Sequence, residues 1–346
     1  MDRVGRDRCF WGAILLVLLL LATSPPPTPS LPEDGASPPW EDYGRLVNLE
    51  EAPPLTAFLL RVLSIAFLTL LLSGAAINLQ GMLRRDWRVF SPGDPPRVPW
   101  GVGPVLKLAV YFFALFLLVV RLERILLGLA GIPPVTVAAW LLLANAYFQF
   151  ALLLGLTWWF LRSYRTGPEP DLSGRPGTGL PRWKFLSLSP GEWLRRARQA
   201  LRGYICFFPG LVVLGLLGWW FSRIFGLPGQ VHPLVEPILE DGRPGLVGPL
   251  LVVGVLFAPL AEEIFFRGLL FPALGKKAGV FWAAVITAAL FATLHFNWVG
   301  WLPIFGLGML LARGYQRTGS LLVPIIIHGL HNALFLSFSI LVYRAT

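Results

Sequence analysis

Carboxylates are scarce in this chain, and nearly missing where it is most apolar. After Asp241 the only acidic side chains are Glu262 and Glu263. Charged residues of both signs make up 14% of the 346 positions, hydrophobic residues make up 55%, and mean hydropathy is +0.65. Too few ionic side chains are present to cover a water-facing surface, which excludes an ordinary soluble domain. Short alternating apolar and polar runs are also missing, which excludes a membrane barrel. Two cysteines, Cys9 and Cys206, lie in or beside different apolar segments. They support neither a disulfide framework nor a cysteine metal site. The net charge of +10 falls in loops between apolar runs rather than on one basic surface, so nucleic acid is not an expected partner.

What remains is a series of long, continuous apolar runs, and these predict an all-α, polytopic transmembrane helix bundle of about 8–9 spans. Arg3, Arg6 and Arg8 precede a short apolar run, Phe10 to Ala22, which reads as a signal anchor or a cleavable signal peptide. A Pro-rich, acidic stretch with Glu33, Asp34, Glu41, Asp42, Glu50 and Glu51 follows, so 1–54 reads as this segment plus an external linker. Spans are expected at 55–80, 104–121, 133–162, 203–224, 247–272, 278–296, 299–315 and 321–343. Residues 55–202 read as accessory helices with a basic cytoplasmic loop at 163–202, and 203–346 as the core. Arginines and lysines in alternate loops place the N-terminus in the cytoplasm and the C-terminus outside. Within the basic loop, Pro190 to Arg198 reads either as a basic amphipathic helix on the cytoplasmic face or as a solvated flank.

Polar side chains inside such runs are costly, by about 2.5–3.5 kcal/mol for a charge on insertion scales. Three of the four histidines, His295, His328 and His331, share the last apolar quarter with Glu262, Glu263, Arg267 and Asn332. His232, followed by Pro233, reads as a loop residue. Singly, an intramembrane histidine is as readily an inter-helix hydrogen bond, and a glutamate pair as readily a proton relay. Helical spacing separates the roles of the two glutamates. Glu263 and Arg267 are four apart with the acid first, the favourable order for an ion pair. Glu262 points about 100° away and is left to face a cavity. His328 and Asn332 also stand four apart on one face. Pro324, four before His328, is expected to open the helix locally. Phe291, one turn before His295, reads as packing, and Gly306 and Gly308 as sites of close helix approach.

Glu262-Glu263-Ile264-Phe265-Phe266-Arg267 is similar to an EExxxR motif, Phe291 to His295 to FxxxH, and His328 to Asn332 to HxxxN. In order and spacing, the region 247–343 resembles the CPBP family of intramembrane proteases, which includes the type II CAAX prenyl endopeptidases. The resemblance implies that Glu262, with His295, activates a water, that His328 and Asn332 stabilise the oxyanion, and that Glu263 and Arg267 orient the site. His331 departs from the family, many of whose members carry a small polar residue or asparagine there.

No serine or cysteine stands in a convincing nucleophile position beside a histidine, so a direct attack by water is expected rather than a covalent route. The expected form needs no cofactor. The alternative binds zinc through Glu262, His295 and His328, with an open position for water. The expected substrate is a membrane-embedded or lipidated protein or peptide, with the prenylated CAAX type as its narrower form, met within the lipid bilayer of a bacterial inner (plasma) membrane. A non-catalytic binding or scaffold protein and a proton-coupled transporter are the competing classes, the latter weakened by the lack of a visible internal repeat.

Overall fold

Proline lies inside the apolar runs of this chain, not only between them, and it shapes how the helices pack. The computed structural model describes residues 52–84, 98–164, 189–226 and 244–345. The N-terminal anchor and linker up to residue 51, most of the loop 163–202 and His232 lie outside the described residues. Every regular element among the described residues is helical: α1 (Pro54–Arg84), α2 (Val102–Leu129), α3 (Pro134–Ser163), α4 (Pro190–Phe225), a composite α5 (Val247–Thr293), α6 (Trp301–Thr318) and α7 (Leu322–Tyr343). Six of them, all but α6, are long and apolar enough to cross a membrane. The spans expected at 247–272 and 278–296 form one helical run, kinked at Gly279, where φ is 76°. The chain is an integral, multi-pass membrane protein.

The helices fall into two compact units. One holds α2 and α3, a hairpin turning at Gly131 with φ 67°. Asn145 Nδ2 donates to Glu123 Oε2 across it at 2.8 Å, so the glutamate of the Arg121-Leu122-Glu123-Arg124 cluster is held by a neighbouring helix. Trp100 closes its end against Phe160 and Tyr164.

The other unit holds α1 and α4–α7. α4 is one helix of 36 residues, so the basic segment Pro190 to Arg198 forms its first turns, and the expected domain boundary at 202 falls inside it. Ser189 caps it: its hydroxyl accepts from the Glu192 N–H, and the Glu192 carboxylate accepts from the Ser189 N–H.

A proline has no N–H to give the carbonyl four residues before it. In this unit, two such carbonyls face a glycine on another helix, and a third carbonyl at a helix start does the same. Pro209 releases the Ile205 carbonyl, and α1 meets it at Gly74, where a Cβ would collide with that oxygen and with the proline ring. Pro259 releases the Val255 carbonyl, and a Cβ on Gly329 of α7 would stand 2.9 Å from it. At the third seam the Val299 carbonyl, just before α6, meets α4 at Gly218, where a Cβ would collide with that oxygen. Each seam brings backbone against backbone, a geometry open only to glycine.

The same chemistry shapes α5. Its regular turns are interrupted by π-helical turns at Val253–Phe257 and Ile264–Leu270, each ending shortly before a proline, Pro259 and Pro272. The missing donor and the proline ring widen the preceding turn. Pro324 has no such effect. It lies in the first turn of α7, where no intrahelical bond is lost, and α7 runs unbroken to Tyr343 instead of opening before His328.

These seams predict a sharp contrast between glycines. Gly74→Ala and Gly329→Ala each lower stability by about 1–3 kcal/mol, the usual cost of overpacking. Gly155→Ala, in open space on α3, changes it by less than about 1 kcal/mol. Thermal unfolding of the purified protein in detergent distinguishes the two outcomes.

Candidate active site

Glu262 and Glu263 occupy the short α-helical stretch Ala258–Glu263, between the two π-helical turns of α5. Glu263 and Arg267 are fully buried, and Arg267 Nη1 donates to Glu263 Oε1 at 2.7 Å. The other end of the guanidinium, Nη2, donates to the Gly308 carbonyl at 3.0 Å. Gly308 allows this because α6 lies against α5 there, at a distance where a Cβ would stand 2.9 Å from that of Ala288. The guanidinium carbon also lies 4.7 Å from the centre of the Phe291 ring, a cation–π contact away from water.

Glu263 has a second partner. His328 Nδ1 lies 3.0 Å from the same Oε1 atom. A carboxylate accepts, so this nitrogen carries the proton and donates, and Nε2 points away from Glu263. It points towards Glu262, whose Oε2 is 4.0 Å from it. That oxygen is buried and makes no hydrogen bond within the protein. The separation is too long for a direct hydrogen bond and fits a bridging water.

His295 lies just past the end of the long helix, in the turn that leads to Phe296, whose φ is 50°. Its Nδ1 donates to the Phe291 carbonyl at 2.7 Å, and its ring packs on the Phe291 ring at 4.5 Å. Phe291 in turn meets His328 edge-on at 5.4 Å. Phe291 therefore stands among Arg267, His295 and His328, which is more than the one-turn packing contact read from spacing. The helix that carries His295 is redirected by the kink at Gly279.

Asn332 is held differently from the expected pairing with His328. Its Nδ2 donates to the Gly254 carbonyl at 2.7 Å, inside the first π-helical turn. One Nδ2 hydrogen remains. His331 turns to α4, where its Nδ1 lies 3.2 Å from the Tyr204 hydroxyl. The structure thus gathers Glu262, Glu263, Arg267 and His328 directly, joins His295 through Phe291, and holds Asn332 on the same α5. Spacing missed the Glu263–His328 bond and the carbonyls of Gly254 and Gly308. Pro259 and Pro272 were the available signal for the π-helical turns.

Residues 244–334, which contain all of these site groups on α5–α7, match the family model described as type II CAAX prenyl endopeptidase Rce1-like. YdiL of Bacillus subtilis, named as a candidate membrane peptidase, is 26% identical over 211 residues, 56% of this chain and 84% of YdiL. The membrane-embedded CAAX protease MroQ of Staphylococcus aureus is 34% identical over 127 residues, 35% of this chain and half of MroQ. Over this region the chain is similar to the CPBP family of membrane proteases. No solved structure matches it significantly. The matched family and both relatives support a membrane protease.

The zinc alternative requires three donors to converge in this site. Both His295 and His328 use Nδ1 locally and leave Nε2 available, as metal-bound histidines do. Among the described residues, however, no three His, Cys, Asp or Glu side chains are grouped closely enough to hold an ion. As arranged, the donor set does not fit zinc.

The buried pair generates a stability prediction. Arg267→Met leaves Glu263 without its guanidinium in a dry site, and lowers stability by about 3–5 kcal/mol. Replacing both partners, Glu263→Leu with Arg267→Met, restores much of that loss while leaving His328 without its anchor. Denaturation of the three proteins in detergent measures both effects.

Proposed function

We propose that this protein is an intramembrane endopeptidase that hydrolyses a peptide bond of a membrane-associated substrate with a water activated by Glu262. The observation that carries the reading is the position of Glu262 Oε2. It is buried, has no protein hydrogen bond, and faces His328 Nε2 across 4.0 Å, while Glu263 has its own partners.

In this reading, Glu262 takes a proton from the bridging water as the water oxygen attacks the scissile carbonyl. His295, at the edge of the same site, helps to orient that water. A proton on His328 Nε2 makes the cluster of two carboxylates, one guanidinium and one imidazolium electrically neutral. It also supplies a donor for the oxyanion, with the remaining Nδ2 hydrogen of Asn332 as the second. Glu263 and Arg267 hold His328 in place. Collapse of the tetrahedral intermediate breaks the C–N bond, and the proton on Glu262 passes to the leaving amine. The balance closes with one water consumed and no covalent enzyme intermediate.

The substrate class we propose is a membrane-anchored peptide, with a prenylated CAAX-type C-terminus as its narrower form. The family description and the name of MroQ support that form. The bacterial sources of both relatives support a bacterial plasma membrane as its location.

Glu262→Gln keeps the shape of the side chain and removes the base, so cleavage of a membrane-anchored peptide library by the purified protein falls about 10²–10⁴-fold. Cleavage at the wild-type rate would overturn the assignment. The metal-free route predicts full activity in 1,10-phenanthroline. Inhibition that added zinc reverses would instead establish the zinc form. Farnesylated and unmodified versions of one peptide, compared by kcat/KM, test the prenyl preference.

A further inference from the structure

α7 carries three polar side chains within five residues, and each is held by a different group. His328 donates to Glu263 of α5, Asn332 donates to the Gly254 carbonyl of α5, and His331 pairs with Tyr204 of α4 at 3.2 Å. At about 100° per residue, His331 lies roughly 60° to one side of His328 and Asn332 roughly 40° to the other. Both contacts to α5 therefore lie towards one side of the helix, and the contact to α4 lies on the other side of His328. It adds a third polar tie, to a different helix, against rotation of α7 about its own axis.

The lever is short and steep. A side-chain tip lies roughly 5–6 Å from a helix axis, so a turn of about 20° moves it by about 2 Å. A functional group tolerates a displacement of only about 0.5 Å. The surroundings strengthen the brace. Tyr204 is 2% exposed, its ring packs edge-on against Phe208, and His331 lies against Phe335 at 4.4 Å. In such apolar company no water competes for the phenol, so the hydrogen bond is stronger than a surface one.

We propose that Tyr204 and His331 are a positioning pair that fixes the rotation of α7, and through it the aim of His328 and Asn332. Neither residue touches the reacting atoms. Its effect on catalysis rests on the hydrolytic reading above. Its effect on His328 does not.

The test uses Tyr204→Phe, His331→Phe, their double variant, and His331→Asn, whose carboxamide can meet the Tyr204 hydroxyl. Each Phe variant lowers kcat about 10–100-fold, the scale of an ångström-sized misplacement, with KM within twofold of wild type. The double variant is no worse than either single, and His331→Asn recovers most of kcat. The downfield Nδ1 proton of His328, followed by solution NMR in detergent, is present in wild type and in Glu262→Gln but broadened or lost in Tyr204→Phe. An unchanged His328 signal in Tyr204→Phe, or a kcat that falls only in step with melting temperature, would overturn the pair. If Glu262→Gln cleaves normally while the His328 signal still depends on Tyr204, the hydrolytic reading fails and the brace stands.

Discussion

One oxygen atom, Oε1 of Glu263, organises the C-terminal helices. It accepts from Arg267 on its own helix and from His328 on α7. Through the far side of the guanidinium, the same group reaches the Gly308 carbonyl of α6. A carboxylate buried to this depth is intolerable without charge compensation, and equally a guanidinium there is intolerable without acceptors. Each therefore dictates where the next element must lie. Three helical elements are held by one ionic contact, and the orientation of His328 follows from it.

That contact leaves Glu262 in a different electrostatic position from its neighbour. The two side chains are chemically identical and adjacent, yet one is consumed by structure and the other faces an imidazole edge across 4.0 Å. The distinction is produced by helix geometry, since 100° of rotation is enough to turn adjacent residues towards different neighbours. The π-helical turns on either side of the pair refine that rotation and expose the Gly254 carbonyl to Asn332.

Much of this was legible in the sequence. Long apolar runs predict the helices because lipid leaves the backbone no other solution. The Glu263–Arg267 pair follows from spacing within one helix. What spacing could not supply was anything that joins two helices. The bond between Glu263 and His328 spans 65 residues, that between Arg267 and Gly308 spans 41, and that between Tyr204 and His331 spans 127. Backbone carbonyls are a second blind spot, because every residue has one and no letter of the sequence marks which is free. The prolines come closest to such a mark. Helix boundaries also shifted for a physical reason: Pro209 costs α4 one backbone bond without ending it, and the change from basic to apolar composition alters its surroundings and not its structure.

The seams of proline-released carbonyl against glycine reverse the usual map of mutational tolerance. In a water-soluble domain the largest apolar residues are the least replaceable, because they fill the core. Here many of the largest, such as Leu68, Leu83, Phe281 and Trp298, lie on the outside, where lipid conforms to whatever shape they present. The residues that admit no neighbour in the alphabet are the smallest. A library of random substitutions would therefore find the protein most forgiving at its bulkiest positions and most brittle where the side chain is a single hydrogen atom.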